Sequence, residues 1–267
     1  MVERVVIFLE LYYQEYGNEN ASLMVFLHGG GVSSWMWDKQ IQHFTSYHCV
    51  TIDLPEQGKS KDAESFSIKK SAEKVIELIE KIKKDKKVIV IGFSLGAQVV
   101  IQMMSMKPTL ITNAIINSAL VRPNALVVKM ISPAIKLTSP LISNRYFSKI
   151  QSKVLYVSEE YFETYYKESS QMKSVTLIRI LKENISFEIP TGFNKAEGNI
   201  LVTVGQKEKT IMKKSAMDIV SNNSNCIGII IPNVGHGISM LNPNYFNKVI
   251  ENWLQESVLP QDAITIK

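Results

Sequence analysis

Ser94 stands between Gly92 and Gly96, and its surroundings have the composition of a sharp turn from strand into helix. Residues 87–91 form a short apolar, β-branched run that predicts a buried strand, and residues 97–104 are built of helix-forming types. A serine on such a turn has its hydroxyl lifted clear of the sheet, and glycines two positions either side allow the close backbone approach the turn forces. A serine hydroxyl is a weak nucleophile at neutral pH and needs a base beside it. The chain has four histidines. His43 falls on a predicted helix and His48 just before a predicted strand, so both read as surface or structural residues. His28 opens a glycine run. His236 alone lies between glycines, in Pro232-Asn233-Val234-Gly235-His236-Gly237, after the apolar run 226–231. A serine nucleophile with a histidine as general base is the pairing that acyl transfer needs.

These residues need a frame to bring them together. Residues 24–27 predict another buried strand, ending in His28-Gly29-Gly30-Gly31, where bare backbone N–H groups could face a developing oxyanion. First strands are expected over residues 2–17, then strands near 23–28, 49–53, 87–91, 111–117, 199–204 and 226–231. Helix-like segments alternate with them: residues 68–84 carry apolar residues at helical spacing, and 211–222 and 245–254 follow. That alternation predicts an α/β fold with a mostly parallel central sheet flanked by helices. The tail after Leu254 reads as loosely held. Between Ser118 and Asn199 the rhythm breaks for roughly 75 residues, too many for a crossover connection, so the segment reads as an insertion with helices of its own. Its first part, residues 122–153, holds six Lys or Arg and no acidic residue. Pro133 and Pro140 are expected to divide that part into short helices. Residues 159–168 predict an acidic, aromatic helix.

In these segments and their order the chain resembles the α/β-hydrolase superfamily, in the branch with an inserted helical cap. The resemblance covers nearly the whole chain, including Asp53-Leu54-Pro55-Glu56-Gln57-Gly58-Lys59-Ser60. It implies a core of residues 1–120 and 198–267 with a helical cap (lid) over 121–197. It also implies Ser94 as nucleophile, His236 as base and a triad acid after the strand 201–204. Similar hydrolases usually carry Asp where this chain has Glu208, and Glu is an accepted substitute. Asn117 marks a second position where some members place the acid, while the aspartate corresponding to Asp53 mainly organises its loop. Glu208 is our assignment. The oxyanion hole is expected from the backbone N–H groups of Leu95 and Gly30. The acyl pocket is expected to be walled by Gly31, Trp35, Trp37, Phe93 and Val234, together with Met36 and cap residues. No cofactor and no metal are implied.

Composition narrows the classes. With 45% apolar and 21% charged residues, the chain has the make-up of a globular domain with a large core. Its net charge of +5 comes from scattered lysines with no recognition helix or zinc spacing, which gives nucleic-acid binding little support. Cys49 and Cys226 read as buried free thiols. No signal peptide and no integral membrane segment are visible, so a cytoplasmic monomer or homodimer is expected. The leading function is a serine hydrolase of a small, fairly apolar acyl substrate. A carbon–carbon bond hydrolase or eliminase acting on an acidic molecule, or a non-enzymatic ligand receptor on the same fold, are the alternatives.

Overall fold

The computed structural model describes residues 4–9, 11–61 and 63–266. Val2, where the first strand was expected to begin, lies outside them. In chain order come β1 (Arg4–Phe8), β2 (Leu11–Gly17), β3 (Leu23–Leu27), α1 (Asp38–His43), β4 (His48–Ile52), α2 (Ile68–Ile82), β5 (Val88–Phe93), α3 (Leu95–Met106) and β6 (Asn113–Asn117). Four consecutive helices follow: α4 (Ala125–Ile142), α5 (Arg145–Val154), α6 (Glu159–Gln171) and α7 (Ser174–Ser186). The chain then returns to the sheet with β7 (Asn199–Gly205), α8 (Thr210–Asn222), β8 (Cys226–Ile231), α9 (Ile238–Leu241), α10 (Pro243–Glu256) and β9 (Ile264–Ile266).

The strands form one sheet in the order β1-β2-β4-β3-β5-β6-β7-β8-β9. β3 through β8 are parallel, and antiparallel strands close both edges. Parallel strands covered on both faces must be apolar on both, and β3 is buried at every position. Leu23, Val25 and Leu27 join one core with α2 and α3, while Met24 and Phe26 join the other with Trp37, Phe246 and Trp253. The chain order reverses beside β3: β4 pairs on one side of it and β5 on the other. The loops after β3 and β5 therefore diverge and leave a crevice at the carboxyl ends of the strands, where open α/β sheets place their ligand sites.

Two expectations about the elements are corrected. α4 runs unbroken through Pro133 and Pro140. Pro133 and Lys129, four residues before it, are both exposed, so water can take the carbonyl that proline leaves without a donor. The tail after Leu254 is not loose: β9 pairs with β8 through Ile266↔Gly228 and Ile264↔Ile230, and Ile266 is buried. His48 is structural, buried in β4 with its Nε2 2.8 Å from Glu15 Oε2. Cys49 and Cys226 are buried free thiols, each pushed up to about 12 by burial. No helix among the described residues is long and apolar enough to cross a membrane.

Candidate active site

Ser94 forms the junction of β5 and α3 at φ 52°, ψ −109°, a conformation that non-glycine residues rarely hold. Its N–H donates to the Asn117 carbonyl at 2.8 Å, which ties the turn to β6, and its own carbonyl accepts from the Gln98 N–H as α3 begins. The flanking glycines are required sterically. A Cβ on Gly92 would lie 2.6 Å from the Gly96 carbonyl oxygen, and one on Gly96 would overlap the Leu27 carbonyl.

His236 comes from the loop between β8 and α9. Its Nε2 is 3.0 Å from Ser94 Oγ, and its Nδ1 is 2.7 Å from Glu208 Oε2. A carboxylate only accepts, so the Nδ1–H donates to Glu208, and Nε2 is left to accept from the serine hydroxyl. The glycines around His236 make room for Tyr156. A Cβ on Gly235 would lie 2.5 Å from Tyr156 Oη, and one on Gly237 would lie 2.9 Å from Tyr156 Cδ2. A Cβ on Gly205 would lie 2.6 Å from the Val234 carbonyl, so that glycine lets the histidine loop close onto the end of β7.

Glu208 is buried, and every oxygen it offers has a donor. Oε1 accepts from the Ser118 hydroxyl at 2.7 Å and the Gly205 N–H at 2.8 Å, leaving Oε2 for His236. Burial alone would push this carboxyl up. The hydrogen bond and charge of His236, the Gly205 N–H and the Ser118 hydroxyl outweigh it and hold the group below the ordinary glutamate range. Asn117 turns away from the histidine and donates from Nδ2 to Thr203 Oγ1 at 2.7 Å. Asp53 accepts from the Ser34 and Lys59 N–H groups, both at 2.8 Å, and so fixes two loops. His28 is buried, with its Nε2 accepting from the Leu54 N–H at 2.9 Å; burial lowers its pKa and keeps the ring neutral.

Gly30, Leu95, Ser94 and His236 border one cavity of about 180 Å³. The Gly31 N–H is taken by Gln57 Oε1 at 3.1 Å, so Gly31 lines the cavity without a spare donor. The remaining walls are Val32, Phe93, Leu155, Leu177, Ile180, Leu181 and Asn184, and among the described residues no lysine or arginine lines it. On the far side of Gly31 and Val32 is a second cavity of about 420 Å³, lined by Glu56, Lys61, Glu168 and Lys173 among others.

Four expected wall residues are elsewhere. Trp37 is fully buried in the core between Phe26 and Phe246, at ring distances of 5.3 and 6.5 Å, because the turn before α1 directs it under the sheet. Trp35 stacks on Tyr161 at 5.3 Å and donates from Nε1 to Glu168 Oε2 at 3.0 Å, which binds it to α6. Val234, two residues before His236 in the same loop, packs into the core. Met36 is likewise buried in that core. The residues missed in the sequence are Ser118 and the α7 wall. Leu177, Ile180, Leu181 and Asn184 fall at i, i+3, i+4 and i+7, a helical-face spacing that was legible without knowing what the face meets.

A family model described as alpha/beta hydrolase fold matches residues 22–243. A candidate 2-succinyl-6-hydroxy-2,4-cyclohexadiene-1-carboxylate synthase of Haemophilus influenzae is 32% identical over 76 residues, covering 28% of this chain and only 31% of that protein. The (E)-2-((N-methylformamido)methylene)succinate hydrolase of Acinetobacter baylyi is 22% identical over 242 residues, 87% of this chain and 90% of its own length. Among solved structures, MenH from S. aureus superposes with a TM-score of 0.74 at 18% identity, covering 92% of this chain and 98% of that one. The family match begins at the first fully buried strand and ends beyond the histidine loop, so it takes in Ser94, Glu208 and His236 with the sheet that carries them: the chain belongs to the alpha/beta hydrolase fold family.

Proposed function

We propose that this protein is a serine hydrolase that cleaves an ester or related acyl bond of a small, fairly apolar substrate. The observation that carries the reading is the hydrogen-bonded line from Ser94 through His236 to Glu208, opening on a cavity that no lysine or arginine among the described residues lines. Ser94 Oγ attacks the acyl carbon as its proton passes to His236 Nε2, and Glu208 stabilises the imidazolium that forms. The negative charge on the carbonyl oxygen is met by the N–H groups of Leu95 and Gly30; losing one such donor typically costs about 3–4 kcal/mol of transition-state stabilisation. Collapse expels the leaving alcohol, which takes the proton from His236. Water, deprotonated by the same histidine, then releases the acid and restores Ser94. The helices between β6 and β7 serve as a cap: α7 roofs the cavity and Leu155 closes its side.

A fluorophosphonate probe applied to wild type and Ser94→Ala, followed by p-nitrophenyl esters of increasing chain length, tests this. Labelling and turnover lost together in Ser94→Ala support it. A wild type that is neither labelled nor active removes it in favour of a ligand-binding role.

Carbon–carbon cleavage or elimination on a carboxylated substrate has one observation behind it, the presence of Lys61 and Lys173 in the neighbouring cavity. Glu56 and Glu168 line that cavity too and offset the charge, which keeps the ester reading first. Turnover of a 2-hydroxy-6-oxo dienoate without ester turnover would reverse the order.

A further inference from the structure

α4 is apolar on both sides. Inward, Ile131 is buried and the helix lies along α7. Outward, where a surface helix ordinarily puts polar residues, Leu126 is 76% exposed, Met130 63% and Leu137 82%. Val127 and Leu141 are exposed as well. At roughly 100° per residue, Leu126, Met130, Leu137 and Leu141 share an arc of about 60°. Lys129 and Lys136, both exposed, fall together along one flank of that stripe. α5, which packs against α4, carries exposed Tyr146, Ile150 and Val154 at i, i+4 and i+8, beside Lys149 and Lys153.

Within α4 and α5 themselves the charge is one-sided, and the acids beside α5 come from α6. Residues 122–153 contain six basic side chains and no acid. Arg122, Arg145 and Lys149 have acidic partners on other elements, Asp218, Glu163 and Glu159, and Lys129 and Lys153 are exposed. A leucine and methionine stripe edged by lysines is the pattern of a helix lying in a bilayer interface, with apolar chains among the acyl tails and ammonium heads at the phosphates. A second copy of this chain fits poorly, since a two-fold contact would set the same cationic segment against itself.

We propose that the outer face of α4 and α5 docks the protein on an anionic phospholipid surface. Docking there sets the cap against the membrane. α7, against which α4 packs, supplies Leu177, Ile180 and Leu181 to the cavity, and Leu155 follows directly on α5. The inference concerns binding and stands whether or not Ser94 turns over esters.

Vesicle flotation tests it, with phosphatidylcholine alone and with phosphatidylcholine containing phosphatidylglycerol. Wild type is expected to float with the anionic vesicles, to bind the neutral ones much more weakly, and to release as salt is raised. Met130→Ser/Leu137→Ser should weaken anionic binding by tenfold or more, and Lys129→Gln and Lys153→Gln by about fivefold each. Ile7→Ser, which truncates an exposed apolar residue on β1, should change nothing. An environment-sensitive fluorophore on Leu137→Cys should shift to the blue with anionic vesicles, which reads insertion with the rest of the face intact; the two native thiols are buried. The proposal is overturned by no flotation of wild type, by equal binding to neutral vesicles, by unchanged binding of Met130→Ser/Leu137→Ser, or by a wild-type dimer in sedimentation that Leu137→Ser dissociates.

Discussion

The Ser118 hydroxyl donates to Oε1 of Glu208 at 2.7 Å, from a residue at φ 58° directly after β6. Glutamate is one methylene longer than aspartate, and a longer acid must be held further back from the histidine. Ser118 and the Gly205 N–H occupy one carboxylate oxygen between them and leave the other aimed at His236 Nδ1. The neighbouring Asn117, on the strand position beside it, contributes its carbonyl to Ser94 instead.

Glu208→Gln is expected to lower kcat by about 10⁴-fold, the scale seen when a triad carboxylate becomes an amide and the histidine takes the wrong tautomer. Ser118→Ala removes one hydrogen bond to a charged group, worth about 1.5–3 kcal/mol. It should cut kcat with little change in KM, and because one of the groups holding Glu208 low is gone, the Tm deficit of the variant should narrow on acidification. A deficit independent of pH would show that the serine does not tune the carboxyl.

Glu56 joins α7 to the loop after β4. At φ 60° it accepts from the Phe66 N–H and Thr176 Oγ1 and pairs with Arg179 of α7. Burial pushes its carboxyl up, but Arg179, Phe66 and Thr176 together hold it below its ordinary value. A depressed acid stabilises the fold above its unfolded pKa, and that contribution is lost as pH falls through the folded value. Glu56→Gln should therefore cost about 1–3 kcal/mol at neutral pH. The gap in Tm between variant and wild type should narrow on acidification below the usual glutamate pKa of about 4.3. A gap independent of pH would mean that the carboxylate charge contributes nothing.

The turn at Ser94 and the loop of His236 were legible because each joins a strongly patterned strand to glycines, and local steric need is written in the residues themselves. Glu208 was legible only by its distance from the end of β7; between Lys207 and Lys209 it has the look of a solvated surface acid, and its burial comes from Ser118 and Gly205, far away and close by in the chain. Ser118 carried no signal that separates it from any turn serine. Trp37 misled for a related reason. An aromatic residue six positions after Gly31 fits a pocket wall and a core equally well until Phe246 of α10 is known to lie against it. Pro133 does not break α4 because it is exposed there, and water can take the carbonyl that it leaves without a donor.

The conformation at Ser94 predicts an exchange of stability for activity. A non-glycine residue in such a region costs on the order of 1–3 kcal/mol. Ser94→Ala keeps that cost, whereas Ser94→Gly relieves it at some expense in unfolded-chain entropy. Both should be inactive, and Ser94→Gly should be the more stable by about 1 kcal/mol in urea unfolding. Equal stability of the two variants would show that the turn stores no strain.

Glu168 should respond to pH in the opposite sense to Glu56. It reaches from α6 to accept from the Ser33 hydroxyl at 2.9 Å and Trp35 Nε1 at 3.0 Å. Burial raises its pKa by more than those two donors lower it, and the charge of Asp53 adds to the rise. An acid with a raised folded pKa stabilises the fold fully below its unfolded pKa, and the contribution disappears as pH climbs through the folded value. Ionised at higher pH, Glu168 sets a buried charge between α6 and the loop after β3, and that seam should loosen. Glu168→Gln stays neutral throughout. Its stability relative to wild type should rise with pH, read as diverging Tm curves between about pH 4 and pH 8, with the excess appearing only above the unfolded pKa. Parallel curves would mean that the carboxyl keeps one protonation state over that range and that the seam between α6 and the loop after β3 is indifferent to it.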